Sequence, residues 1–374
     1  MDQPSTQMQP AHLPPPAEVR TIACLMLNGI GDILCVTPTL QALRLRYPEA
    51  KLTVIIRPHL RELLDGNPCV DELLCYETDR KWKRPLFMWR LYRHRFDLWV
   101  DLHVPTFNTM SSNRRDFRRN AWLMRASAAR FRRAYEVPEL AGALSHPLRY
   151  PTDKERRETN IVDMTLGLAG PGPDSRFLKH MPVSAADHEW ARTELPDSTA
   201  PRIALFFGAR QPAEIWPESR VLELIALLGE ELPEAELVLI GGEHEAGLAA
   251  TMAAATSGRG SASLRSFICR ANLPRTAALL ARCDAFVSTN SGPMHVADAM
   301  KVPTVALSSS KNHQAIWRPM LPGSVMLNQP VDCGPCFQST CPMGTNKCMD
   351  LIEPRRILAA LMQLLRASGA TSRA

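Results

Sequence analysis

The chain has 374 residues, 45% of them hydrophobic and 22% charged, with a formal charge of +6. That length exceeds one compact core and suits two domains of ordinary size, and the composition excludes a disordered chain. The charge is uneven: residues 80–133 hold 15 Lys and Arg against Asp97, Asp101 and Asp116, on an otherwise mildly acidic body, which points to an anionic partner on one side.

Met1 to Glu18 carries Pro4, Pro10, Pro14, Pro15 and Pro16 and no apolar core, so 1–18 reads as a disordered, extended tail rather than a secretory signal. Ile22–Leu43 comes nearest to a membrane span, but Asn28, Gly29, Gly31, Asp32 and Pro38 interrupt it and divide it into strand, turn and helix. The expected location is cytoplasmic.

Arg20–Leu27 is the first strand, followed by a turn at Asn28–Gly31 and a helix to about Tyr47. Lys51–Arg57 is a strand and a short helix follows through Leu64; "VDELLCY" is the third strand, a helix lies near Pro85–His94, and Phe96–His103 is the fourth strand. Val-, Ile- and Leu-rich strands separated by helices predict a parallel sheet covered on both faces. Residues 105–182 are less regular and hold the link between domains, with "PGPD" at 171–174 as a breaker. A second series then runs through strand Arg202–Ala209, helix Pro217–Leu228, strand Ala235–Gly242, and a helix from Glu243. It ends with a short helix in "NLPRTAALLARC", strands Asp284–Asn290 and Val302–Ser309, and an amphipathic helix from Pro354 to about Arg366. The expected class is α/β, with an N-terminal domain at 19–185, a C-terminal domain at 186–330, a Cys-rich loop at 331–350, and a closing helix and tail at 351–374.

Two turns carry candidate chemistry, because open α/β sheets bind ligands beyond the carboxyl ends of their strands. In "NGIGDIL", Gly29 and Gly31 permit a tight turn and close approach by a ligand, and Asp32 sits at the mouth of the sheet near the helix start, where it can also simply cap the helix. Leu34 occupies the place of the third fingerprint glycine, which disfavours a nicotinamide oxidoreductase. In "STNSGPMHVADA", Ser291 and Gly292 offer backbone N–H groups at a helix start, an anion site that suits a diphosphate, and His295 lies one turn inside. A capped helix with a partly buried histidine is the plainer alternative.

Asn113–Arg133 holds eight arginines, Arg118 and Arg119 among them, interleaved with Phe117, Trp122 and Phe131. It reads as a solvated helix face or as a site for an anionic glycolipid or the membrane surface carrying it; nucleic acid is disfavoured because no nucleic-acid fold accompanies the charge. Asp101 and His103 end the fourth strand at the same sheet edge as Asp32, as acceptor contacts or as local hydrogen-bonding groups. Cys24, Cys35, Cys69, Cys75, Cys269 and Cys283 are scattered and read as small core residues. Cys333, Cys336, Cys341 and Cys348, in "CGPCFQSTCPMGTNKC", are spaced tightly enough to meet at one point. In a cytoplasmic protein such a cluster favours a metal, Zn or a single Fe, over disulfides. The paired knuckles of common zinc ribbons are missing, so reduced structural cysteines stay open.

"LNGIGDILCVTPTLQALRLRYPEAKLTVIIRP", "NPCVDELLCY", "GARQPAEIWPESR", "LIGGEHEAGLA" and "STNSGPMHVADAMKVPTVAL", in this order and spacing, resemble the ADP-heptose glycosyltransferases, the heptosyltransferases of glycosyltransferase family nine. The resemblance runs from about Arg20 to the final helix and is poor over 105–182. It implies a GT-B fold, two Rossmann-like domains with parallel sheets facing across a cleft, the nucleotide sugar in the second domain and the acceptor in the first. It implies inverting transfer without a metal for the transfer itself, with Asp32 as base, Ser291, Gly292 and His295 on the diphosphate, and Glu245 on the nucleoside. The implied partners are an ADP-heptose donor and an anionic lipopolysaccharide-core acceptor, with peripheral contact at the inner membrane. Two departures stand out: Asn290 replaces a frequent Asp, and Glu214 replaces a frequent Lys, whose charge Arg210 is expected to supply. The cysteine cluster resembles the iron-binding finger of the autotransporter-modifying branch, so a protein acceptor stays open. A non-catalytic nucleotide-sugar-binding relative stays open through Glu214 and Asn290.

Overall fold

A computed structural model of the protein describes residues 12–77, 82, 84–106, 114–170, 174, 176–255 and 262–367. The chain divides into two compact units, residues up to Leu178 and residues from Lys179 onward, so the Cys-rich loop and closing helix belong to the second.

The first unit is a six-stranded, all-parallel sheet of β1 (Thr21–Leu25), β2 (Lys51–Ile56), β3 (Glu72–Cys75), β4 (Leu98–Asp101), β5 (Phe131–Tyr135) and β6 (His146–Leu148), in the order β3-β2-β1-β4-β5-β6. Its helices are α1 (Ile30–Arg46), α2 (Arg84–His94), α3 (Arg114–Ala126), α4 (Asp153–Glu158) and α5 (Ile161–Leu166). Helix α1 continues through Pro38. Proline lacks the N–H that would bond the carbonyl of Leu34, and the Thr37 hydroxyl donates to that oxygen instead, at 2.7 Å.

Two expectations need correction in this unit. The stretch 105–182 supplies two strands and three helices; β5, "FRRAY", and β6, "HPL", carry arginines and a proline in place of an apolar run. The end of the Pro-rich tail is also ordered: Leu13 is buried, and the carbonyls of Leu13 and Pro14 accept from Arg46 and from the Tyr47 hydroxyl. Residues 1–11 lie outside the described residues.

The second unit repeats the plan with β7 (Arg202–Phe206), β8 (Glu236–Leu239), β9 (Ser263–Ser266), β10 (Ala285–Thr289), β11 (Thr304–Ser308) and β12 (Val325–Asn328), all parallel, in the order β12-β11-β10-β7-β8-β9. Its helices are α6 (Ala185–Glu194), α7 (Glu218–Glu231), α8 (Ala246–Ala255), α9 (Leu273–Leu280), α10 (Gly292–Ala299), α11 (Gln314–Trp317), α12 (Lys347–Asp350) and α13 (Pro354–Ala367). Read from its own first strand, each sheet has the doubly wound order 3-2-1-4-5-6, so the α/β class and the two Rossmann-like sheets are as expected. Helix α13 packs on α7 through Ile357, Leu361 and Leu364, and closes the core of this unit.

Among the scattered cysteines only Cys24 and Cys35 are buried; Cys69, Cys75 and Cys283 are half-buried, and Cys269 is exposed in a left-handed turn after β9. Among the described residues no helix is long and apolar enough to cross a membrane.

Candidate functional site

The doubly wound order puts a switch point between β1 and β4 in the first unit and between β7 and β10 in the second. At such points the loops diverge and leave a crevice at the carboxyl edge. Both sequence-predicted turns stand there.

In the first unit, Gly29 begins α1 and Asp32 is its third residue. The Gly29 N–H donates to Asp32 Oδ2 at 3.1 Å, and Asn28 Nδ2 lies 3.5 Å from Oδ1. Asp32 is half-buried in the first turn of the helix. One oxygen of Asp32 thus holds the turn while the carboxylate stays at the sheet edge.

Asp101 and His103 do not present themselves to an acceptor. Asp101 is fully buried and His103 nearly so. The Leu27 N–H donates to His103 Nε2 at 3.3 Å, so the ring proton sits on Nδ1, which meets Asp101 Oδ1 at 2.5 Å. Asn120 Nδ2 donates to Asp101 Oδ2 at 3.0 Å. This network ties α3 to the residue preceding Asn28. Arg119 is engaged locally, with Asp116 at 2.7 Å and with Asn120, whereas Arg118 is exposed. Asn120 escaped sequence reasoning, because an asparagine inside an arginine-rich helix carries no signal of a buried partner.

In the second unit, four strand ends supply the edge. Glu245 follows β8 and accepts the Gly242 N–H at 2.8 Å. Gly208, after β7, lies against it: a Cβ there would sit 2.1 Å from Glu245 Oε1. The Thr289 hydroxyl, at the end of β10, donates to the Gly208 carbonyl at 2.5 Å. Ser291 is the N-cap of α10, and Asn290 Nδ2 donates to Ser308 Oγ at 3.3 Å. Gly292 opens α10 with Pro293 behind it.

His295 differs from expectation. It is buried, and Lys179 Nζ donates to its Nδ1 at 3.0 Å. Burial, and then the Lys179 ammonium beside it, push its pKa well below the ordinary 6.5. Both effects favour the neutral ring, which accepts from Lys179 at Nδ1. Lys179 also pairs with Asp298 Oδ2 at 2.6 Å, and Asp298 accepts the Met320 and Leu321 N–H groups. No motif announced Lys179, which stands 116 positions from His295.

Glu214 is also paired. Lys311 Nζ lies 3.3 Å from its Oε1 and bonds Gln211 Oε1. Burial raises the Glu214 pKa, against the opposing pull of Lys311 and Arg210. The cation beside Glu214 is therefore the buried Lys311, while Arg210 remains exposed.

Cys333, Cys336, Cys341 and Cys348 line one cavity of about 30 Å³ together with Ser310 and Lys311. The loop is strapped to the β7 and β11 exits: Ala213 N–H to Ser339 O at 3.1 Å, Phe337 N–H to Lys311 O at 2.9 Å, and Asn346 Nδ2 to Pro212 O at 2.7 Å. Burial pushes the Cys341 thiol up, but the N–H groups of Asn346, Met343, Thr345 and Gly344 together outweigh it and lower its pKa. Burial, then the three neighbouring cysteines, raise that of Cys348. The side chains gathered there are four thiols. The expected tetrahedral set is nevertheless not formed: among the described residues no group of three or more His, Cys, Asp or Glu stands as metal ligands would.

Residues 113–347 match the sequence pattern of glycosyltransferase family 9 (heptosyltransferase). The chain is similar to lipopolysaccharide heptosyltransferase 3 of Escherichia coli K12, with 24% identity over 303 residues, 77% of this chain and 82% of that protein. It is 32% identical over 89 residues to lipooligosaccharide heptosyltransferase 2 of Campylobacter jejuni, a stretch covering 24% of this chain and only 28% of that protein. The solved structure of E. coli ADP-heptose lps heptosyltransferase II superposes with a TM-score of 0.71 at 22% identity, covering 93% of this chain and 99% of that one. The family pattern spans more than half of the chain, across the carboxyl edge of the second sheet, and the chain belongs to glycosyltransferase family 9, the heptosyltransferases.

Proposed function

We propose that the protein transfers a heptose from ADP-heptose to a lipopolysaccharide-core acceptor with inversion at the sugar carbon. The observation that carries this reading is a carboxylate at a helix start, Asp32, on one switch point, with a glycine-lined edge and helix start, Gly208, Glu245 and Ser291–Gly292, on the other. Breaking the bond from sugar carbon to phosphate leaves its electron pair on the diphosphate. The N–H groups at the start of α10 would stabilise that charge. Asp32 would take the proton of the acceptor hydroxyl as its oxygen bonds the opposite face of the sugar. A cytoplasmic location at the inner membrane goes with this reading.

Transfer from labelled ADP-heptose to core-truncated lipopolysaccharide, abolished in Asp32→Ala, is the expected result. Binding without turnover in the wild type would favour a non-catalytic relative. The four-thiol loop supports a second acceptor class, a surface protein. Mass spectrometry of lipopolysaccharide and surface proteins from a strain lacking the chain separates the two, since the molecule losing mass is the acceptor.

For the loop itself, the four cysteines would be the ligands of a structural Zn or Fe, supplying cross-linking of the loop and no step of the transfer. Metal analysis of reduced protein purified without chelators is expected to find about one ion per chain. Less than about a tenth of an ion would leave them as reduced structural cysteines.

A further inference from the structure

Strands β1 and β4 pair as far as Leu25 and Asp101, and the Leu102 N–H donates to the Leu25 carbonyl at 3.0 Å. In a parallel ladder the following bond would run from the Leu27 N–H to the Leu102 carbonyl. That N–H instead donates to His103 Nε2 at 3.3 Å, so an imidazole ring takes the place of the ladder where the two strands diverge. On the other side of β1, the Met26 N–H donates to the Ile55 carbonyl at 3.1 Å. The Leu27 bond is therefore the tie that β1 makes toward β4 just before the turn carrying Asp32. Gly29 follows two residues on, and its N–H donates to Asp32 Oδ2.

Two fully buried side chains, Asp101 and Asn120, fix the ring. Asp101 Oδ1 accepts the His103 backbone N–H at 3.1 Å and the ring Nδ1–H at 2.5 Å. Asp101 Oδ2 accepts Asn120 Nδ2 at 3.0 Å, and Asn120 Oδ1 accepts Arg119 Nη2 at 3.0 Å. Holding the ring proton on Nδ1 leaves Nε2 as an acceptor aimed at the Leu27 N–H. Both ring nitrogens are thus engaged inside the protein. An apolar side chain of similar size would fill the same space but leave that N–H and one Asp101 oxygen without these bonds.

We propose that His103 is a positioning residue for Asp32: its ring, oriented by Asp101 and Asn120, ties down the Leu27 N–H and so sets where the Asn28–Asp32 turn leaves the sheet. This role rests on the proposed transfer, in which Asp32 takes the proton of the acceptor hydroxyl. A base must stand within hydrogen-bond reach of the proton it removes. Misplacement by about 1 Å can cost about 10²-fold in rate. His103 touches no reactant and acts only through the turn. Its loss should therefore lower kcat, leave the donor KM in place, and matter little once the Asp32 carboxylate is gone.

The test compares two substitutions in the full chain. Glutamine brings an oxygen near the Nε2 position, whereas asparagine reaches only as far as Nδ1. His103→Asn is expected to lower kcat for transfer from ADP-heptose about 10²-fold with the donor KM within about threefold, and His103→Gln to stay within about tenfold of wild-type kcat. In an Asp32→Asn background, His103→Asn should change turnover by less than about threefold, whereas a mere loss of folded protein would multiply through. Hydrogen–deuterium exchange over Leu25–Gly31 reads the tie without turnover: exchange should quicken in His103→Asn and stay near wild type in His103→Gln. No transfer by the wild type would overturn the base reading and this role with it. Where the wild type transfers, unchanged exchange in His103→Asn, its turnover within about threefold of wild type, or a loss that multiplies with that of Asp32→Asn would each overturn the positioning role alone.

Discussion

Lys179 Nζ lies 2.6 Å from Asp298 Oδ2 and 3.0 Å from His295 Nδ1, with both charged side chains almost closed to solvent. A lysine at the start of the second unit thus holds the inner face of α10, the helix whose first turn is the proposed anion site. Removing one partner of such a pair leaves a buried charge uncompensated. Lys179→Met is expected to lower unfolding free energy by about 3–5 kcal/mol in urea denaturation. Lys179→Met/Asp298→Asn should lose less than the two single changes added together. A Lys179→Met variant within about 1 kcal/mol of wild type would mean the pair contributes no more than an exposed one.

The same contact sets a pH dependence. His295 has a pKa below its ordinary 6.5 in the folded protein, so between those two values the unfolded chain binds the extra proton. Stability from this group is therefore complete above about pH 6.5 and is lost as pH falls below it, at up to about 1.4 kcal/mol per pH unit. Compared with His295→Asn, wild type should lose its stability advantage progressively from pH 7 to about pH 5. Melting curves for both proteins across that range check this, and a constant difference would count against the neutral, buried ring.

These buried contacts mark the boundary of what the sequence discloses. Glycine turns after apolar strands are local, so Asn28–Asp32 and Ser291–Gly292 are legible, and so are the strands that lead into them. Strands β5 and β6 are not, because Arg132, Arg133 and Pro147 stand where an apolar run would signal a strand, and β6 is the sheet edge. The edge strands β9 and β12 are four residues each and no better than half-buried, and β9, "SLRS", has no apolar run. Lys179, Asn120 and Lys311 act through partners 17 to 119 positions away, and nothing in the local pattern of a lysine or asparagine encodes that. For Asp101 and His103 the local reading is right about the sheet edge and silent on depth, which depends on α3 closing over them.

Asp32 caps its helix and is the base of the proposed transfer, and substitution can separate the two. Its Oδ2 accepts the Gly29 N–H, an interaction that an asparagine oxygen can keep. Asp32→Asn should hold the fold within about 1 kcal/mol of wild type, whereas Asp32→Ala loses the cap and about 1 kcal/mol. Transfer should fall about 10²–10⁴-fold in both, because neither can accept a proton. Parallel unfolding and turnover measurements separate the roles. If Asp32→Asn turned over within about tenfold of wild type, Asp32 would be a cap alone.

Gly208 is the most sharply defined steric point of the second edge. A methyl group there would approach Glu245 Oε1 to 2.1 Å and Phe206 Cζ to 2.6 Å, closer than real atoms stand. The flexible carboxylate is the easier group to displace, and moving it breaks its hydrogen bond to the Gly242 N–H. Gly208→Ala is therefore expected to weaken ADP binding about tenfold or more in calorimetry and to destabilise the fold by about 1–3 kcal/mol. Shortening the displaced side chain in Gly208→Ala/Glu245→Ala should recover part of the stability but not the affinity, because the carboxylate proposed to meet the nucleoside is then gone. Full recovery of affinity in the double variant would remove Glu245 from the donor site and leave it as packing against β7.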